Sequence, residues 1–62
     1  MFYKVELIGG NMTIVEAKSI RSARKWAWEE YGRYMEPRTT RAKGEDVDWC
    51  KMMGGAIHKV YS

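Results

Sequence analysis

Arg21, Arg24, Lys25 and Trp28 are the residues of this chain whose types and spacing best suit contact chemistry. Projected at about 100° per residue, they share one face of a helix that begins near Ser19. Guanidinium groups bond phosphates and carboxylates in a bidentate way, and an outward indole supplies a stacking plane or an interface anchor. The free N–H groups of the helix start add positive potential beside them. The charges also run against the helix macrodipole, with Arg21, Arg24 and Lys25 early and Glu29 and Glu30 late. A helix dipole favours acids first and bases last, by about 0.3–1 kcal/mol per charge. A pattern that gives up stability in so short a chain points to a surface kept for binding. The plain alternative is a solvated face, with Arg24 lying over Trp28 and with Lys25–Glu29 and Glu29–Arg33 as ordinary i,i+4 pairs.

A second basic run, Arg38-Thr39-Thr40-Arg41-Ala42-Lys43, interleaves cations with hydroxyls and suits phosphate contacts, although it lacks the glycine spacing of a P-loop. Arg38, Arg41 and Lys43 therefore join the candidate binding set. The neighbouring Glu45-Asp46-Val47-Asp48 reads as counter-charge to that run rather than as a cation patch. Glu30 projects within the apolar stripe between Ala27 and Tyr34. It reaches solvent from the rim, meets a lysine from the sheet, or is a buried carboxylate of the kind that serves as a catalytic acid. Cys50 and His58 are expected to sit on a second hairpin, in position to face each other across it. A metal site needs three or four ligands at suitable spacing, and neither CxxC nor HxxxH occurs here. A Cys–His nucleophile would also need an orienting group and a pocket. No catalytic set, metal or cofactor is expected, and Met52-Met53 reads as packing at a hairpin tip.

The elements that would position these residues follow from periodicity. Residues 2–8 alternate as a strand, with Tyr3, Val5 and Leu7 on one face, and residues 12–18 form its partner across Gly9-Gly10-Asn11. A two-residue Gly9-Gly10 turn sets Val5 opposite Ile14 and Leu7 opposite Met12, which is the expected register. A three-residue turn would set Val5 opposite Val15 and Lys4 opposite Glu16, and a slip of one exchanges the faces. Ser19 is the expected N-cap. Ile20, Ala23, Ala27, Tyr31 and Tyr34 then recur at helical spacing as the core stripe, with Trp26 at its edge. Pro37 stops the helix at or before Glu36. Residues 36–46 read as a long loop, and residues 47–53 and 56–61 as a second hairpin around Gly54-Gly55, with a bulge. Val47, Trp49, Ile57, Val60 and Tyr61 would carry its apolar content. The expected fold is a single domain, 1–62, of class α+β. Its order is ββαββ, a four-stranded, mainly antiparallel sheet with one helix packed on one face.

Sixty-two residues with one cysteine build a marginal core that no intrachain disulfide supports. The chain opens Met-Phe-Tyr-Lys without an apolar leader, and no stretch approaches a membrane span, so a cytoplasmic protein is expected. The net charge of +3 is unevenly placed. Residues 18–43 carry eight cations against three acids, whereas the remainder carries three cations against five acids. That asymmetry favours an anionic partner on one side.

In element order, FYKVELIGGN–MTIVEAKSI–helix–VDWCKMMGGAIHKVY resembles β-grasp domains such as the immunoglobulin-binding domains of streptococcal protein G, without any binding motif. The run VEAKSIRSARKWAWEEYG resembles small early-region accessory proteins of tailed bacteriophages over roughly residues 3–31. That resemblance implies a non-enzymatic protein of host takeover or anti-defence, placed in the host cytoplasm. It would dock the Arg21/Arg24/Lys25/Trp28 face, assisted by residues 38–43, on an acidic host protein surface. Two other readings stay open: a nucleic-acid-binding accessory protein, and a dimer that sequesters a small phosphorylated nucleotide. A homodimer is compatible with each. Its interface would be an exposed strand edge, or the sheet face away from the helix, with Phe2, Ile8 and Val15.

Overall fold

Apolar alternation at the start of the chain produces two antiparallel strands, β1 (Phe2–Glu6) and β2 (Met12–Glu16), in a computed structural model that describes residues 1–55 and 57–60. The turn between them takes in Ile8, Gly9 and Gly10, and the Leu7 N–H donates to the Asn11 carbonyl at 2.8 Å. Gly9 and Gly10 hold φ at +91° and +81°, a region that residues with a Cβ rarely enter. The pairs are Tyr3↔Val15, Lys4↔Ile14 and Val5↔Thr13. Neither expected register is the one formed. The two-residue turn is one residue off, so Val15, rather than Ile14, shares a face with Tyr3 and Val5. The three-residue alternative has the right faces but the wrong partners, because the turn starts one residue earlier, at Ile8.

Ser19 caps α1 (Ile20–Tyr31), its hydroxyl accepting from the Ser22 N–H at 3.2 Å. Ala23 and Ala27 are fully buried and allow the helix to approach Tyr3, Val5, Val15 and Ala17 closely, with Leu7, Trp26, Tyr31 and Val60 packed around them. Tyr34 lies beyond the helix and is exposed, and Ile20 at the helix start is exposed too, so the buried stripe is shorter at both ends than expected. Glu30 is also exposed, which removes the buried-carboxylate reading.

The second half of the chain departs from the expected loop and hairpin. Residues 38–41 form β3 (Arg38–Arg41), antiparallel to β1, and residues 44–52 form a second helix, α2 (Gly44–Met52). The last strand, β4 (Ile57–Lys59), runs parallel to β2, and the sheet order is β3-β1-β2-β4. Two of the three strand pairs are antiparallel, so the sheet is mixed within the expected α+β class. Ala56 and Tyr61, which the expected second hairpin included, lie outside the described residues.

The local chemistry explains why 44–52 is helical. Glu45 and Asp46 occupy the first turn and Lys51 the last, in the sense the macrodipole favours. The Asp46 carboxylate accepts the Lys43 N–H at 3.0 Å. Gly54 and Gly55 end this helix rather than turn a hairpin. Gly54 has φ +74°, its N–H reaches the Lys51 carbonyl, and the Gly55 N–H reaches the Cys50 carbonyl at 2.9 Å. These paired bonds make a Schellman cap.

β2, β3 and β4 all run parallel to one another, so α1 and α2 are the crossovers β2–α1–β3 and β3–α2–β4. The crossovers travel in opposite directions across the sheet, and crossovers of one hand must then use opposite faces. They do: α1 covers the Tyr3/Val5/Val15 face, while Asp46 of α2 reaches Lys4 on the other. The sheet face expected to be free for a dimer is therefore partly covered by α2, and Val15 is buried beneath α1.

Candidate functional site

Because Ala23 and Ala27 fix the inward direction of α1, the opposite flank must hold Arg21, Arg24, Lys25 and Trp28, and each of the four is exposed. Trp28 keeps 46% of its surface open although it is among the largest side chains of the chain. Its ring lies against Gly32, where an added Cβ would come within 2.7 Å of the indole Cε3. Gly32 also caps the helix, donating its N–H to the Trp28 carbonyl at 2.9 Å. The glycine thus gives the indole a bare backbone to rest on. By contrast, Trp26 is turned inward, edge-on to Tyr31 at 5.9 Å and tilted over His58 at 5.0 Å.

None of the α1 cations forms an ion pair among the described residues. Among the described residues the ion pairs are Lys4–Glu6, Lys4–Asp46 and Lys59–Glu16. The i,i+4 pairs Lys25–Glu29 and Glu29–Arg33 do not form. Of the second basic run, Arg41 stands opposite Tyr3 and so shares the sheet face that α1 covers, with α1 packed on β3. Arg38 stands opposite Glu6 and projects on the other face. Lys43 is the N-cap residue of α2, and it too is exposed. The fold therefore places Arg41 on the same side as the α1 set and separates Arg38 from it.

Cys50 and His58 do not face each other. Cys50 is buried on α2, whereas His58 pairs with Val15 and stacks on Trp26, on the α1 side. Among the described residues no group of three or more His, Cys, Asp or Glu is arranged to hold a metal. No helix among them is long and apolar enough to cross a membrane.

Sequence reasoning did not find a second feature, a groove of about 480 Å³ between the β1–β2 hairpin and the start of α2. Its walls include Lys4, Glu6, Met12, Glu45, Asp46 and Trp49. The signal was present. Read as a helix, residues 44–52 place Glu45, Asp46 and Trp49 three to four apart on one face. Read as a strand, they scatter. No protein family, curated protein or solved structure matches this chain.

Proposed function

We propose that this chain is a small non-enzymatic binding protein that docks the α1 face on an acidic surface of a host protein and inhibits or redirects it, in the manner of phage early-region proteins. Arg21, Arg24 and Lys25 steer the encounter and Trp28 anchors the contact, with Arg41 extending the basic surface toward β3. The observation that carries this reading is the state of that flank: three exposed cations without acidic partners among the described residues, beside a half-exposed indole.

The test is capture from bacterial lysate with and without nuclease, using the wild type, Arg24→Glu and Trp28→Ala. One stoichiometric protein that survives nuclease and is lost with both variants is the expected result. Capture that disappears with nuclease would replace this reading with nucleic-acid binding, whose affinity falls steeply with salt. A nucleotide carried by a dimer would replace it with sequestration.

A further inference from the structure

The groove on the α2 side of the sheet uses none of the α1 residues and asks for a ligand of the opposite sign. Its polar wall sets three carboxylates, Glu6, Glu45 and Asp46, against one ammonium, Lys4. Its apolar wall includes Met12 and the indole of Trp49, which is 46% exposed. The volume lies within the range usual for small-molecule sites.

The chain's own lysine already marks where a cation rests. Lys4 Nζ lies 3.5 Å from Glu6 Oε1 and 3.8 Å from Asp46 Oδ1. Both distances exceed the roughly 2.7–2.9 Å of a tight charge-assisted bond, so the ammonium is loosely held between two carboxylates. Asp46 is oriented from behind, because its Oδ2 accepts the Lys43 N–H at 3.0 Å and leaves Oδ1 turned toward Lys4. That same bond places a negative charge on the N-terminus of α2 and makes the groove a poor anion site.

We infer that this groove binds a small organic cation, an amine or guanidinium on an aliphatic stem. The charged group lies among Glu6, Glu45 and Asp46, where it displaces Lys4, and the stem lies along Met12 and Trp49. An indole adds cation–π attraction to such a site. Lys4 is thus an internal competitor whose removal favours the ligand.

The probe is agmatine, titrated into the full chain and followed by the indole N–H signals in NMR, with Trp49 assigned through Trp49→Phe. A saturable shift at Trp49 is expected, with Trp26 and Trp28 unmoved and with no response to butanol. Glu45→Gln, at an exposed position, should weaken the affinity about fivefold, and Lys4→Met should strengthen it about three- to tenfold. Circular dichroism checks that both variants fold; if Lys4→Met does not, Glu45→Gln decides alone. No saturable shift up to about 10 mM, a very weak limit, would overturn the inference. So would an affinity indifferent to the charge variants. Oligomers that disperse in Trp49→Phe would also overturn it, by showing that a second copy's basic face fills the groove.

Discussion

The two helices of this chain solve the same problem in opposite ways. α2 is nine residues long and carries acids first, a lysine last, an aspartate at its start and a two-glycine cap at its end. α1 has no acid in its first turn and no base in its last, and its fully buried alanines tie it to the sheet. Both helices are capped, α1 by Ser19 and Gly32, but only α2 has its charges aligned with its dipole, and α1 has the more extensive buried face. A helix secured by burial tolerates unfavourable charges on its outer flank, because a penalty of about 0.3–1 kcal/mol per charge is small beside a packed interface. The flank of α1 is thereby free to present cations and an indole, whereas α2 buries Cys50 alone.

The largest test of this contrast is on the inner side of α1. Ala27→Leu forces extra methylenes against Val5 and Val15 and should cost about 1–3 kcal/mol in denaturant unfolding. Stability unchanged by that substitution would show that α1 is not held by close packing. On α2 the sensitive place is the end. Gly54→Ala puts a Cβ on a residue with φ +74° and should cost about 1–2 kcal/mol. A neutral result there would mean that the cap contributes little.

Thr39 offers a change of the opposite sign. Its hydroxyl is buried beneath the α1 side of β3 and has no hydrogen-bond partner among the described residues. Thr39→Val keeps the shape and removes the orphaned group, so it should stabilise the chain by about 1 kcal/mol. A loss would reveal a bond that the hydroxyl makes in solution. A loss is expected at Gly32. Helix propensity favours alanine there by at most about 1 kcal/mol, but its Cβ would collide with the Trp28 backbone carbonyl as well as with the indole. Gly32→Ala should therefore lower stability by about 1 kcal/mol and should shift Trp28 fluorescence. An undisturbed Trp28 spectrum would show that the ring does not rest on the glycine.

The sequence disclosed α1 well because several signals agreed there: the Ser19 cap, the alanine spacing and the outward set from Arg21 to Trp28. It disclosed the second half poorly because the same residues support two readings. Gly54-Gly55 reads equally as a hairpin turn or as a helix end, and Val47, Trp49 and Cys50 show no strong period of either kind. The deciding clue was electrostatic, since Glu45 and Asp46 before Lys51 suit a helix and mean nothing to a strand. The register of the first hairpin was hidden for another reason. Gly9 and Gly10 accept positive φ in several turn types, and only the packing of α1 over Val15 and Ala17 selects among them. The groove followed the misread helix, because its walls come from both halves of the chain.

The most direct test of the contrast is Arg21→Glu, which puts an acid in the first turn of α1 on the candidate binding face. The account predicts a chain of equal or greater stability, by up to about 1 kcal/mol in denaturant unfolding, that no longer captures its nuclease-resistant partner. A destabilised chain that still captures the partner would contradict it, since the arginine would then serve the fold and not the surface.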